Sequence, residues 1–227
     1  MKKITALLLI LAMVFSFTAC AGNNAGTDTK TSEQATGTGI NATNGSAPTK
    51  GGELSGNGGS ENGTVKILVA YFSATNTTKG VAKNIADSLN ADLYEITPEN
   101  PYTAEDLNYH DDNSRSTIEM NDPNSRPAIS GSVENMEQYD IVFIGYPIWW
   151  SQAPRILSTF AESYDFSGKT VVPFCTSGGS GVGSSAANLE RLTKGATWLS
   201  GTLLDGGASR ASIAEWINGL GLDITAQ

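Results

Sequence analysis

The pattern of apolar and polar positions divides the chain near Gly63. Residues 21–63 are mostly Gly, Asn, Thr, Ser and Ala, with no aromatic residue and with Ile40 and Leu54 as the only large aliphatic side chains. A segment of this composition cannot bury enough apolar surface to fold. We therefore predict a linker over residues 20–63 and a folded domain over residues 64–227.

Short apolar runs alternate with helical stretches in the second part. Runs that are apolar at nearly every position are typical of strands buried on both faces of a parallel sheet. The pattern predicts strands at 65–72, 91–96, 141–145, 170–175 and 196–204, and helices at 77–89, 153–162, 184–193 and 209–220. Five strands alternating with helices predict a doubly wound α/β domain, a parallel sheet with helices on both faces.

A polar segment over residues 98–132 interrupts this alternation. It predicts a short helix near 103–107 and leaves room for a second helix. Connections of this length are usually functional or disordered. The segment contains His110, the single histidine of the chain, which we expect to be exposed rather than catalytic.

The first 19 residues read as a secretory signal peptide. Two lysines precede an apolar run over residues 4–17, which is too short to cross a bilayer core of about 30 Å as a helix. Phe17-Thr18-Ala19-Cys20 resembles a bacterial lipobox, with phenylalanine where leucine is usual. The resemblance implies that Cys20 is lipidated and anchors the chain to the outer face of the cytoplasmic membrane. The alternative is an ordinary cleaved signal with an incidental cysteine.

Charge and cysteine content narrow the classes of partner. Removal of residues 1–19 leaves 12 basic and 23 acidic residues, a formal charge of about −11, which argues against nucleic acid as a partner. Cys20 and Cys175 are the only cysteines, so lipidation of Cys20 excludes an intrachain disulfide. We expect Cys175 to be a buried small residue rather than a redox thiol.

Hydroxyl side chains gather where the first strand leads into the first helix, in Ser73-Ala74-Thr75-Asn76-Thr77-Thr78. Free N–H groups and the dipole at a helix N-terminus favour an anion, so this loop predicts a phosphate site. A Ser/Thr-rich cap without a ligand is the alternative.

The succession of strand, Ser-x-Thr-x-x-Thr and helix resembles the FMN phosphate loop of flavodoxins. The resemblance implies a sheet of strand order 2-1-3-4-5. It also implies that Ser73, Thr75, Thr77 and Thr78 donate hydroxyl or N–H bonds to the phosphate, and that Ala74 and Asn76 donate through their backbone N–H groups. Asn76 stands where the family usually has glycine, and asparagine tolerates a left-handed backbone.

A second loop, Gly145 to Trp150, follows the third strand, and strands 1 and 3 flank the switch point where ligands bind in such sheets. The resemblance implies that Pro147, Ile148, Trp149 and Trp150 contact the flavin, with Trp149 stacked on its ring. The alternative is that the tryptophans pack a helix onto the sheet.

In flavodoxins the residue at the position of Trp150 is often glycine, and its peptide bond turns over when the flavin takes up one electron. The turned peptide needs a left-handed backbone, which costs a tryptophan about 1 to 2 kcal/mol. We therefore expect the one-electron state of the flavin to be poorly stabilised and electrons to move in pairs.

A third loop, glycine-rich, follows the fourth strand, and the resemblance implies that its backbone contacts the edge of the flavin ring. The residues concerned are Thr176, Ser177, Gly178, Gly179 and Gly181. This loop lacks the tyrosine that many flavodoxins stack on the ring, so we expect a more open outer face.

The resemblance implies an FMN-binding electron-transfer protein tethered outside the cytoplasmic membrane. Its partner would be an unidentified redox protein or a small electron acceptor. Two alternatives stay open: an NAD(P)H-dependent FMN reductase of quinones or nitro compounds, and a degenerate flavodoxin fold that acts as a binding module.

Overall fold

The computed structural model describes residues 64–227, so the predicted signal peptide, Cys20 and the linker up to residue 63 lie outside the described residues. Within 64–227, no helix is both long enough and apolar enough to cross a membrane. In chain order, the strands are β1 Ile67–Tyr71, β2 Asp92–Glu95, β3 Thr97–Pro98, β4 Ile129–Ser130, β5 Ile141–Pro147, β6 Thr170–Thr176, β7 Thr197–Trp198 and β8 Thr202–Leu203. The α-helices are α1 Thr77–Leu89, α2 Arg115–Asn121, α3 Ile156–Glu162, α4 Ser185–Glu190 and α5 Arg210–Asn218.

The main sheet is parallel, in the order β2-β1-β5-β6, with β7 and β8 together at the fifth position. This confirms the predicted doubly wound fold and its strand order. The continuous fifth strand predicted over 196–204 is wrong, because two short strands replace it. The backbone of Pro173 faces the fifth position of the sheet. This follows because the carbonyls of Val171 and Cys175, two residues before and after it, accept from the N–H groups of Leu199 and Leu204. Proline has no N–H to donate there, so the ladder is interrupted.

Alternate residues of each central strand enter two separate hydrophobic clusters, one on each face of the sheet. Val69, Phe143 and Val172 pack with the apolar faces of α1 and α5. On the opposite face, Val142 and Cys175 pack with α3 and α4. Cys175 is fully buried, and burial raises the pKa of its thiol to about 11, as expected for a core residue rather than a redox thiol.

The polar segment over residues 98–132 folds differently from its prediction. Residues 103–107 form a single turn instead of a helix. The side chains of Thr103 and Asp106 each accept from the other's backbone N–H, the arrangement of a helix capping box, but the turn does not continue into a helix. The helix of this segment is α2, and the antiparallel pair β3–β4 joins its two ends. His110 is exposed, as expected.

Hydrogen bonds made by the side chains of Arg126, Arg155 and Thr159 attach this segment to α3 and the loop before it. Arg126 donates to both carboxylate oxygens of Glu162, at 2.7 and 2.8 Å. Arg155 donates to the carbonyl of Met120 at 2.9 Å, and Thr159 donates to that of Pro127 at the same distance. The polar segment is therefore a docked part of the domain at the carboxyl ends of the central strands.

Candidate functional site

The loop between β1 and α1 presents backbone donors that the protein does not use. Asn76 has a φ of 65° and caps α1 without a side-chain hydrogen bond, so the expectation of a left-handed asparagine is met. Among residues 64–227, no acceptor takes a hydrogen bond from the N–H groups of residues 74–79. The hydroxyl of Ser73 is buried and has no hydrogen-bond partner in the same range of residues. Donors of this kind suit a phosphate monoester.

Two side chains of this loop region are already occupied. Thr78 and Thr176 are buried and share a hydrogen bond of 2.8 Å between their hydroxyls, which joins the first and third loops. Lys79 donates to Glu95 at 2.7 Å, and Tyr71 donates to the same carboxylate oxygen at 2.9 Å. Within residues 73–79, the groups still available to an anion are therefore backbone N–H groups and the hydroxyls of Ser73, Thr75 and Thr77, because Lys79 is paired with Glu95.

The second loop contains a tight turn with unusual backbone angles. Trp149 and Gln152 exchange hydrogen bonds of 2.9 and 2.8 Å, and the two residues between them, Trp150 and Ser151, have φ values of 46° and 60°. Hairpin turns with two positive φ angles favour Asn-Gly. We predicted that electrons move in pairs because a left-handed backbone at Trp150 would cost free energy in the turned state. Trp150 already has a positive φ in this structure, so that argument fails.

A cavity of about 260 Å³ lies between the first and second loops. The first loop contributes Ala74 and Thr75, and the second contributes Pro147, Trp149 and Trp150. The remaining wall comes from the segment between β3 and β4, through Leu107, Tyr109 and Ser116. The structure thus brings the first two predicted loops to one cavity at the switch point between β1 and β5.

The two tryptophans differ in their surroundings. Trp149 is partly buried and meets Phe72 and Tyr102 edge to face, with ring centroids 5.6 and 5.3 Å away. The guanidinium of Arg115 lies 4.2 Å from the centre of the Tyr102 ring, and Tyr102 donates to Glu119. Burial, followed by this bond, raises the pKa of Tyr102. Trp149 is thereby held in place, whereas Trp150 is 42% exposed.

The third loop lies beside the site without lining the cavity. The carbonyl of Thr176 accepts from the N–H of Ile148 at 2.9 Å, which fixes the second loop to the end of β6. Beyond it, Ser177 accepts from the N–H groups of residues 179 and 180. A Cβ at Gly178, Gly179 or Gly181 would meet no atom within 4 Å, so these positions leave open space at the surface.

Leu107, Tyr109 and Ser116 line the cavity although we did not predict them as site residues. They belong to no motif, and their contribution depends on how the segment docks. The only available signal was the length of the connection that follows β2, next to the switch point.

The fold and the site together define a doubly wound α/β protein with unused backbone donors before α1 and an aromatic cavity at its switch point. A sequence model of the flavodoxin family matches residues 66–220. The chain belongs to the flavodoxin family.

Solved structures agree with this assignment. A candidate flavoprotein from Bacteroides eggerthii is 49% identical, with a TM-score of 0.66, over 70% of this chain and 99% of that one. A similar protein from Bacteroides uniformis is also 49% identical, with a TM-score of 0.65, over 68% and 98%. A flavoprotein from Lactobacillus acidophilus, solved in complex with FMN, shares the fold at 19% identity and a TM-score of 0.53, over 70% and 99%. No curated protein matches the chain.

Proposed function

We propose that this protein binds FMN at the switch point and transfers electrons through it. The observation that carries the proposal is the cavity of about 260 Å³ that joins the unused donors of the first loop to Trp149 and Trp150. Membership of the flavodoxin family and the FMN-bound neighbour support the predicted cofactor. The buried, unpartnered hydroxyl of Ser73 fits a group that brings its own acceptors.

Each part of the site has its own task in this proposal. The N–H groups at the start of α1 and the hydroxyls of Ser73, Thr75 and Thr77 bind the phosphate. Pro147, Trp149 and Trp150 hold the flavin ring and exclude water from it, and the third loop lies at its edge. When bound, FMN supplies reversible uptake of electrons. The recipient is a redox protein or a small electron acceptor.

The test is titration of ligand-free protein, residues 64–227, with FMN and with riboflavin. The donors of the first loop are aimed at an anion that riboflavin lacks. We expect one FMN per chain, bound at least about tenfold more tightly than riboflavin. Equal affinities would contradict the phosphate site, and absence of binding would favour the binding-module alternative.

A second cavity favours a second candidate function, reduction of quinones or nitro compounds with NAD(P)H. It measures about 240 Å³, is lined by Tyr109, Ile148, Trp149 and Trp150, and adjoins the first cavity. An apolar space beside the flavin would suit a small planar substrate. Rapid anaerobic bleaching of the flavin by NAD(P)H would support the reductase. Absence of bleaching would favour the electron-transfer protein.

We also propose that Cys20 is lipidated and tethers the domain to the outer face of the cytoplasmic membrane. The proposal rests on the lipobox-like sequence Phe17 to Cys20. A diacyl anchor retains a protein stably where one chain is marginal. Fractionation of cells that express the full chain or its Cys20→Ser variant tests it. Wild-type protein found only in the soluble fraction would refute the anchor.

A further inference from the structure

Ser116 lies in α2, within the segment between β3 and β4, and lines the first cavity. The residue is 1% exposed, and its hydroxyl has no hydrogen-bond partner in the described part of the chain. A buried hydroxyl without a partner destabilises the folded state, because it has lost its hydrogen bonds to water. The cavity is the space from which a bound molecule could supply the missing partner.

Tyr109 belongs to the same segment and lines both cavities together with Trp149 and Trp150. It is 68% exposed, and its ring contacts that of His110, with centroids 4.1 Å apart. This exposed ring therefore shares the cavity lining with two indoles, so the lining is rich in aromatic side chains. A flat conjugated ring packs favourably against aromatic side chains.

The segment is attached firmly enough to position these two side chains. The Arg126–Glu162 pair and the Arg155–Met120 bond join it to α3 and the loop before it. The N–H of Ser116 itself donates to the carbonyl of Asp106 at 3.0 Å, which links α2 to the turn that precedes Tyr109.

We infer that Tyr109 and Ser116 complete the ring half of the flavin site. Tyr109 covers the ring face that the glycine-rich third loop leaves open, and Ser116 donates to, or accepts from, a polar atom of the ring. This inference rests on the proposed FMN binding. It assigns ring recognition to the segment between β3 and β4, and phosphate recognition to the loop of residues 73–78.

Titration with two flavins separates these roles. Riboflavin has the ring of FMN but no phosphate, so a residue that contacts the ring affects both ligands equally. We expect Tyr109→Ala to weaken FMN and riboflavin by the same factor, about tenfold, with Tyr109→Phe within about twofold of wild type. Ser116→Ala should weaken both about fivefold.

Matched controls come from the same segment and from the loop that follows β4. Ile118 is 56% exposed and lines neither cavity, and Ser132 is exposed without a side-chain hydrogen bond. Ile118→Ala and Ser132→Ala should bind both flavins as wild type does. Thermal melting of ligand-free protein provides a second readout, since Ser116→Ala removes an unpaired buried hydroxyl. Its Tm should equal or exceed that of wild type, whereas loss of a serine needed for folding would lower it.

Two results would overturn the inference. One is wild-type affinity of both Tyr109→Ala and Ser116→Ala for the two flavins, and the other is loss of FMN affinity with riboflavin unchanged. Failure of the proposed function looks different, because wild-type protein would then bind neither flavin and the inference would fall with it.

Discussion

The two halves of the proposed FMN site, its phosphate half and its ring half, are built in different ways. The phosphate half consists of consecutive residues 73–78 between β1 and α1, and most of its donors are backbone N–H groups. The ring half combines side chains from the second loop with residues 107, 109 and 116, which reach it through tertiary docking. A backbone site tolerates changes of side chain, whereas a side-chain site depends on the packing that positions it.

The largest expected effect concerns the start of the second loop. A Cβ at Gly145 would lie 2.2 Å from the ring of Phe174, which is fully buried. We expect Gly145→Ala to lower the free energy of unfolding by about 3 kcal/mol, measured by urea denaturation. Gly178→Ala, at a position with open space, should leave it unchanged. If Gly145→Ala were as stable as wild type, the close packing beneath the ring half would be refuted.

Substitution of Thr78 tests whether its hydroxyl stabilises the fold by joining the first and third loops rather than binding the ligand. Thr78→Val keeps the shape of the side chain but leaves the buried hydroxyl of Thr176 without its partner. We expect a loss of about 2 kcal/mol in the free energy of unfolding of ligand-free protein. The double variant Thr78→Val/Thr176→Val should lose less than the sum of the two single variants. Additive losses would show that the bond does not join the two loops.

Thr75 represents the hydroxyls that remain available. It is exposed, lines the cavity and makes only a 3.5 Å contact with Thr77. Thr75→Ala should weaken FMN about fivefold by calorimetry, a loss of about 1 kcal/mol, without changing riboflavin affinity or Tm. Equal weakening of both flavins would place Thr75 at the ring instead of the phosphate.

The smallest expected effect is at the turn beside Trp150. Ser151 has a φ of 60°, so Ser151→Gly removes left-handed strain while adding conformational freedom to the unfolded chain. We expect a net gain of about 0.5 kcal/mol in the free energy of unfolding by urea denaturation. Ser180→Gly, at an exposed position without a positive φ, should bring no gain. A loss at Ser151 would show that the turn is not strained.

The sequence by itself determined the central strands of the sheet and the loop conformation before α1. Apolar runs identify β1, β5 and β6 because both faces of these strands are buried, and α1 has the bounds that its periodicity predicts. The phosphate loop is also local, since its donors follow from adjacent residues at a strand-to-helix junction. Asn76 adopts the left-handed backbone that its residue type permits.

Only the tertiary structure decided the rest. The break between β7 and β8 depends on which neighbour Pro173 faces, and the pairing of Thr78 with Thr176 joins residues 98 positions apart. Tyr109 and Ser116 reach the cavity because Arg126 and Arg155 dock their segment on α3 and the loop before it. Hydrophobic periodicity reports burial along one element, whereas contacts between polar side chains on distant elements leave no periodic signal in the sequence.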